Sequence, residues 1–410
     1  MIKSLLRYGR FFGYSILSSE ARKIVLKDVG RFYLGQKVIN NSTINPWSNK
    51  SYSEEARVMA LDKAVQWLLH SQVSMLDDGI GSYNLLNKWS SSYVETTGYI
   101  IPSILSYGIH SNNNAIINKA ILAADWLIRV QRDSGGWQGE CIADNRPEIV
   151  FNTGQVIRGL LSVYKYTNDS KYLNSAIKAS DWLCEIQDSE GFWKKNAFMN
   201  IPRVYDSYVD TPLLMMYEIT GKEIYKEKAI KNLYWIIEKK QLQNGWFVDC
   251  DNTIKGNDKP ILHTISYTID GLLDCGIMLE DQKLIDAAIK SADKLFEIFN
   301  KNKYLKGRFD ANWTGSEYII TTGCAQIAIV WMKLYKLTKN IQYLNAAMKM
   351  NDLLIFIQDR KIKEKINTDG AMPGSFPIWG KYEPFNFPNW ATKYFVDSLV
   401  LEKECLKETL

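Results

Sequence analysis

The chain has 410 residues and a hydrophobic content of 46%, which excludes a disordered protein and allows one large core. Its net charge of +5 is small against 50 basic and 45 acidic side chains, so the composition argues against a nucleic-acid-binding protein. The six cysteines are scattered singly along the chain, which favours neither a disulfide framework nor a zinc cage.

The first 55 residues differ from the rest because they show no repeat. They begin with a basic and apolar stretch, Met1–Phe12, in which Arg7 and Arg10 interrupt any signal-peptide core. We expect residues 1–55 to form an arm that packs on the repeats or touches a membrane peripherally. The sequence therefore predicts a cytoplasmic protein, either free or at the inner face of the membrane.

Six segments between residues 54 and 358 have the pattern of amphipathic helices. In each segment apolar residues recur at three- and four-residue spacing, with Lys, Asp or Glu between them. The predicted outer helices are Glu54–Gln72, Asn118–Gln131, Lys171–Gln187, Glu223–Gln241, Gln282–Phe299 and Gln342–Gln358. Four of them lead into a clear glycine-aromatic turn, namely Gly79–Tyr83, Gly135–Trp137, Gly191–Trp193 and Gly245–Trp246.

A second and more apolar helix follows each turn. The first four of these inner helices begin near Glu95, Phe151, Ser207 and His263, which lie 56 residues apart. The last two begin near Thr321 and Asn389, and the insert Lys361–Pro388 lengthens the final step. Closing a row of six hairpins into a ring removes its two exposed ends. The predicted fold is all-α, an (α/α)6 toroid over residues 56–410 with an N-terminal arm, and an open superhelical solenoid is the alternative.

Several motifs resemble known toroid families. Trp126, Gln131 and Gly135–Trp137 resemble the Gln-Trp repeats of the terpenoid-cyclase and prenyltransferase toroids. The whole arrangement, from about residue 55 to 400, resembles equally the six-hairpin glycosidases and the α/α-toroid polysaccharide lyases. His263–Thr268 and Pro388–Phe395 look like segments of proteins from bacterial surface-polysaccharide clusters. The resemblance implies a toroid enzyme with a glycan substrate. In the cytoplasm, such an enzyme would meet a nascent or lipid-linked glycan, or an imported fragment.

In a toroid the loops between outer and inner helices gather at one mouth, where carboxylates and aromatic rings can bind a sugar. A glycosidase needs one protonated carboxyl group and a second, ionised one. The candidates are Glu140, Asp206 with its neighbour Asp210, and Asp310. The predicted substrate-binding set is Glu95, Trp137, Arg146, Trp193, Arg203, Asp210, Trp246, Arg308, Trp313 and Trp379. In the structural alternative, the tryptophans plug turns and the carboxylates cap helices.

His263 is informative because the chain has only three histidines. It begins an inner helix, and Tyr267 lies one turn further along the same face. A base and a phenol so placed could remove and return the proton beside a uronate carboxylate, as in a lyase or a C5-epimerase. The alternative is a histidine that caps its helix or bonds a neighbouring carboxylate. The arginines of these loops could hold the substrate carboxylate bidentately, or could pair with nearby aspartates.

Two further alternatives are open from the sequence. Asp249–Thr253 resembles the acid motif of class II terpenoid cyclases, except that Asn252 replaces the last aspartate. Asp249, Cys250 and His263 have the residue types of a prenyltransferase zinc set, but not its spacing. A non-catalytic glycan-binding scaffold is the other alternative. We favour a glycoside hydrolase that acts on a uronate-containing glycan, with a lyase or epimerase second, and we predict no cofactor.

Overall fold

The computed structural model describes residues 18–34, 37–39, 42–44, 50–252, 257–360 and 367–408. The basic stretch Met1–Phe12 therefore lies outside the described residues. The described part of the arm contains helix α1, Ser19–Val29, a π-helical turn, Gly30–Leu34, and the paired strands β1, Lys37–Ile39, and β2, Ser42–Ile44. No helix in the described ranges is long and apolar enough to cross a bilayer.

Twelve helices follow within the described residues, and they alternate between an outer and an inner position. The outer helices are α2 Glu54–Met75, α4 Asn114–Arg129, α6 Ser170–Ile186, α8 Glu223–Lys239, α10 Gln282–Asn302 and α12 Ile341–Gln358. The inner helices are α3 Val94–His110, α5 Val150–Thr167, α7 Ser207–Thr220, α9 Leu262–Leu279, α11 Thr321–Thr338 and α13 Asn389–Lys407. The predicted outer segments differ from these bounds by a few residues at most.

The inner helices form a closed ring. Each inner helix contacts the next one along the chain, and α13 contacts both α3 and α2, so the sixth hairpin packs against the first. The inner helices are buried on nearly all sides, as the almost unbroken run of buried residues in α9 shows. The predicted (α/α)6 toroid is confirmed, and an open solenoid is excluded because its two ends would not meet.

A glutamine at the end of an outer helix joins neighbouring hairpins. In the third hairpin Gln187 Nε2 donates to Gly191 O in its own turn and to Lys228 O in the next outer helix, each at 2.8 Å. The same paired arrangement recurs at Gln72, Gln131 and Gln358. Because these carbonyls lie in two hairpins, each amide fixes the spacing of adjacent repeats.

The turn glycines are required by close approach to the next outer helix. Gly135 has a φ of +106°, and a Cβ atom there would lie 2.4 Å from Lys178 O. Gly370 has a φ of +85°, and its Cβ would lie 2.1 Å from Lys63 O. Any other residue at these two positions would therefore be strained both in its backbone and by contact.

Short strands organise the loops at the mouth. Strands β3 Tyr83–Asn84, β4 Lys88–Trp89 and β9 Asn386–Phe387 form one sheet in the order β4-β3-β9, which joins the first loop to the sixth. Two further pairs are β5 Arg308–Phe309 with β6 Gly315–Ser316, and β7 Ile319–Ile320 with β8 Ser375–Phe376. The loops are thus held in place by backbone pairing as well as by packing.

Helix α1 packs on the sixth hairpin through a buried aspartate. Asp28 Oδ2 accepts a hydrogen bond of 3.0 Å from the backbone N–H of Ile378. Its Oδ1 lies 3.5 Å from Arg360 Nε and 3.6 Å from Arg31 Nη1. Asp28 and Arg360 are both buried, so this charged cluster fixes the arm to the loop that precedes α13.

Candidate active site

A cavity of about 650 Å³ opens at the mouth of the ring, where the inner helices begin. Its wall comes from the starts of α3, α5, α9 and α13 and from the loops before them. The acidic side chains of the wall are Glu95, Glu140, Glu148 and Glu383. Because helices from most hairpins contribute, the site depends on closure of the toroid.

The negative charge of Glu140 acts on the protonation of Glu95, another carboxyl group of the cavity. Glu95 is the second residue of α3 and is half-buried. Burial raises its pKa from 4.5 to about 8, and the negative charge of Glu140 adds to the rise. A helix N-terminus favours an ionised carboxylate, but here burial dominates. Glu95 is therefore largely protonated at neutral pH.

Glu140 follows the Gly-Gly-Trp turn and projects into the solvent-accessible part of the cavity. Its backbone has a φ of +60°, and its side chain is exposed. The hydroxyl group of Tyr93 donates a long hydrogen bond of 3.4 Å to Glu140 Oε2. The two predicted residues, Glu95 and Glu140, therefore share one cavity and differ in exposure.

Glu383 is a third carboxyl group of the cavity that was not among our predicted residues. Burial raises its pKa, against a hydrogen bond from the side chain of Asn386, and Glu140 contributes to the rise. Asn386 Nδ2 donates to Glu383 Oε2 at 2.6 Å. Tyr382 and Trp390 line the same wall, and Trp390 Nε1 donates to the Tyr382 hydroxyl at 2.9 Å.

Aromatic rings form the floor of the cavity. The ring centroid of Tyr267 lies 4.9 Å from that of Phe151; it also lies 4.8 Å from Tyr208 and 5.7 Å from Tyr394, two rings outside the lining of this cavity. Phe151 also contacts Tyr205 edge-on, at 5.4 Å. This floor is apolar across its faces and carries hydroxyl groups at its edges, a combination that suits a sugar ring.

His263 lies against Tyr267 in this floor, as the sequence predicted from their spacing. Their ring centroids are 4.5 Å apart, and His263 Nδ1 lies 2.8 Å from Gln326 Oε1. With this amide assignment Nδ1 carries the proton, because an amide oxygen only accepts, and Nε2 keeps its lone pair. Burial lowers the pKa of His263 to about 4, opposed by the bond to Gln326, so the ring is neutral above that pH.

The Tyr267 hydroxyl is buried and has no hydrogen-bond partner in the described part of the chain. Burial raises its pKa well above 10, and nearby Tyr99 and Glu95 act in the same direction. The phenol of Tyr267 is therefore neutral at neutral pH, and its ring lies in the cavity wall.

Arg146 is the predicted arginine that the structure places in the cavity wall. Its side chain is exposed, and no ion pair to it is found among the described residues. Arg203 and Arg308 do not line the cavity. Arg203 is buried and donates from Nη1 to Asp251 O at 2.6 Å, while Arg308 Nη1 pairs with Asp251 Oδ2 at 3.2 Å. Arg203 thus bonds a backbone carbonyl and Arg308 pairs with an aspartate, both away from the cavity in which a substrate carboxylate was expected.

The other predicted carboxylates lie outside the cavity. Asp206 is buried at the start of α7, and burial raises its pKa to about 8, against the charge of Arg203. Asp210 is buried too and accepts a bond of 2.7 Å from Asn232. Asp310 lies in a turn, where burial is outweighed by hydrogen bonds from Thr314 and Asn312 and its pKa is lowered. The pairing of Asp206 or Asp310 with Glu140 is therefore not supported by their positions.

Four tryptophans that were predicted to bind the substrate are instead buried within the turns. The indole N–H groups of Trp137 and Trp193 donate to Leu127 O and Leu183 O, ten residues earlier in each case. The N–H groups of Trp246 and Trp313 donate to Phe309 O and Asn244 O. All four are buried, and Trp379 is half-buried outside the cavity wall.

The residues of the isoprenoid alternatives are not gathered into one site. Asp249 pairs with Lys240 at 2.7 Å, and Cys250 is buried 3.5 Å from the Thr268 hydroxyl. Thr253, the end of that motif, lies outside the described residues. No group of three or more His, Cys, Asp or Glu side chains suited to a metal ion occurs within the described ranges.

Solved structures share this arrangement of helices. An unsaturated glucuronyl hydrolase specific for heparin matches with a TM-score of 0.69 at 15% identity, over 87% of this chain and 99% of its own. The chain has the six-hairpin toroid fold. An unsaturated glucuronyl hydrolase from Streptococcus agalactiae matches this toroid with a TM-score of 0.62 at 15% identity, over 89% of this chain and 96% of its own. An α-amylase from Clostridium perfringens matches it with a TM-score of 0.61 at 12% identity, over 85% and 99%.

Sequence comparison adds one local similarity. The protein is 36% identical over 99 residues to a D-glucuronyl C5-epimerase from Caenorhabditis elegans. This match spans 22% of the toroid chain and only 16% of the epimerase. No protein-family model matches the chain.

Proposed function

We propose that the protein is a glycoside hydrolase that cleaves a uronate-containing oligo- or polysaccharide in bacterial surface-polysaccharide metabolism. The observation that carries this proposal is the pair of Glu95 and Glu140 in one cavity, with Glu95 protonated near neutral pH. Two carboxyl groups whose environments make one an acid and leave the other more exposed are what glycoside hydrolysis requires.

Each side chain then has a defined task. Glu95 donates its proton to the glycosidic oxygen as the bond to C1 breaks. Glu140, as a carboxylate, either activates the water that attacks C1 or attacks C1 itself. Glu95, having given up its proton, is restored by the proton that is released when water is consumed.

The wall of the cavity supports an acidic sugar as the substrate. Arg146 is exposed at the cavity and can donate two parallel hydrogen bonds to a uronate carboxylate. The floor of Phe151, Tyr205 and Tyr267 offers apolar faces to the sugar C–H groups. Two of the solved structures with this fold are named as glucuronyl hydrolases, which agrees with the proposal.

The test is proton NMR of uronate glycans incubated with the protein in D2O. The panel includes free and lipid-linked forms, because the sequence predicts either. New reducing-end anomeric signals without a vinyl proton are the expected result. A vinyl proton, or deuterium at C5 without cleavage, would contradict hydrolysis and support a lyase or an epimerase, the second candidate function.

That second candidate is proton abstraction at C5, by a lyase or an epimerase. It is favoured by the neutral His263 ring beside the unpartnered Tyr267 hydroxyl, and by the local similarity to a C5-epimerase. Tyr267→Phe separates the two candidates because it removes only the hydroxyl group. Exchange at C5 would be lost in this variant, whereas hydrolysis through Glu95 would continue.

A further inference from the structure

The cavity wall carries more acidic than basic side chains. Four carboxyl groups line it, of which Glu95 is largely protonated near neutral pH, and Arg146 is the sole Lys or Arg among the described lining residues. None of the four has an ion-pair partner in the part of the chain that the structure describes, and each receives at most a neutral hydrogen bond. Glu140 accepts from Tyr93, Glu148 accepts from Ser134 at 3.0 Å, and Glu383 accepts from Asn386.

The rest of the polar wall is neutral. Four asparagine side chains line the cavity: Asn152, Asn196, Asn200 and Asn252. Amide groups donate to and accept from sugar hydroxyl and N-acyl groups, but they do not compensate a sulfate. His263 is also uncharged above a pH of about 4, because burial lowers its pKa.

We infer that this cavity selects an unsulfated glycan, in which one uronate carboxylate binds Arg146 and the neighbouring sugars are neutral. The inference rests on the proposed function, because it assumes that the cavity binds a glycan. A sulfate on a sugar beside the uronate would meet Glu140, Glu148 or Glu383 and no free cation among the described lining residues. Repulsion between like charges in a partly desolvated cavity is less screened than at an open surface.

The test measures binding separately from cleavage. The probe is a trisaccharide with one central hexuronate between two N-acetylhexosamines, compared with the same trisaccharide sulfated at O6 of the hexosamines. Affinities are measured by titration calorimetry with the Glu95→Gln variant, so that turnover does not consume the ligand. Hydrolysis of both trisaccharides is followed in parallel with the wild-type protein.

We expect the unsulfated trisaccharide to bind about tenfold more tightly or better at low salt, with a smaller ratio at 0.5 M salt. Adding Glu148→Gln should bring the two affinities closer together. The glutamine side chain still accepts the hydrogen bond from Ser134, but it lacks the negative charge that repels the sulfate. Glu227→Gln is the matched control, because Glu227 is exposed on the outer helix α8. This control should leave the ratio unchanged.

The outcomes separate the inference from the proposed function. Equal or tighter binding of the sulfated trisaccharide overturns the charge selection, even if both sugars are hydrolysed. So does an affinity ratio that is the same with and without Glu148→Gln. Selective binding without hydrolysis overturns the proposed function and leaves the charge selection in place. Failure of both trisaccharides to bind overturns both.

Discussion

Gln358 at the end of α12 donates a hydrogen bond of 3.0 Å to the carbonyl oxygen of Ala60 in α2, 298 residues away. The same amide donates to Gly370 O at 2.8 Å. The same pair of glutamine hydrogen bonds joins successive hairpins elsewhere in the chain. The last hairpin is therefore joined to the first in the same way as neighbouring hairpins are joined to each other. Ring closure is therefore encoded in the repeat itself.

Gln358→Ala should weaken the closure of the ring. It leaves two buried carbonyl groups without this donor, and we expect a loss of about 1–3 kcal/mol in the free energy of unfolding. Urea-induced unfolding measures the change. Gln187→Ala should cost a similar amount, and Gln342→Ala, at an exposed position of α12, should cost little. If Gln358→Ala lowered the free energy of unfolding no more than Gln342→Ala does, Gln358 would not contribute to closure of the ring.

Asp28→Asn should detach the arm from the sixth hairpin. It leaves Arg31 and Arg360 without their shared counter-charge, and breaking a buried pair costs about 3–5 kcal/mol. The expected result is a large loss in urea-induced unfolding free energy, together with reduced activity, since Ile378 precedes the loop with Glu383. Asp286→Asn, on an exposed face of α10, is the control. Rescue by a further Arg360→Met change would show that the uncompensated charge is the cause.

Glu95→Gln should change how stability depends on pH. The pKa of Glu95 is raised from 4.5 to about 8, so between these values the unfolded chain loses a proton that the folded protein keeps. The wild-type free energy of unfolding therefore falls as pH rises through this window, and glutamine removes that contribution. The free energy of unfolding is measured at pH 5 and pH 8.5 for both proteins. Relative to the wild type, the variant should be more stable at pH 8.5 than at pH 5. A constant difference would contradict the raised pKa.

Arg146→Ala should weaken binding of the uronate without affecting the fold. The side chain is exposed and makes no ion pair within the described residues, so the melting temperature should stay nearly unchanged. We expect KM for a uronate glycan to rise about tenfold or more, as loss of a bidentate ion pair predicts. The methyl-esterified glycan, which lacks the negative charge, should be hydrolysed equally by both proteins. An unchanged KM for the acidic form would remove Arg146 from the site.

The sequence was sufficient to predict the toroid because its period is local and regular. Outer helices, glycine turns and inner-helix starts recur, and the ring follows from burying the ends of the array. The roles of the turn tryptophans were not predictable in the same way. Trp137 and Trp193 stand at the mouth in sequence, but each indole N–H turns back to a carbonyl of its own outer helix. Spacing alone does not show on which side of a turn a ring lies.

The site was predicted in part for a similar reason. Glu95, Glu140, Arg146, His263 and Tyr267 all reach the cavity, as the positions of their loops and helix starts indicated. Glu383 and Tyr382 were missed because the insert before α13 breaks the repeat and leaves no register for placing them. Asp206 was proposed from its place at the start of the third inner helix, but its side chain is buried outside the cavity wall, whereas its neighbour Tyr205 lines the cavity. The high pKa of Glu95 depends on burial by several hairpins, which no local pattern encodes.

The most direct test of the account is the release of reducing ends from an unsulfated uronate glycan by wild-type protein and by Glu95→Gln. We expect the variant to be slower by about 10²-fold or more, since general acid catalysis is lost. An aryl uronide, whose leaving group needs no proton, should recover most of the rate. Glu95→Gln turnover close to that of the wild type on the natural linkage would contradict the account.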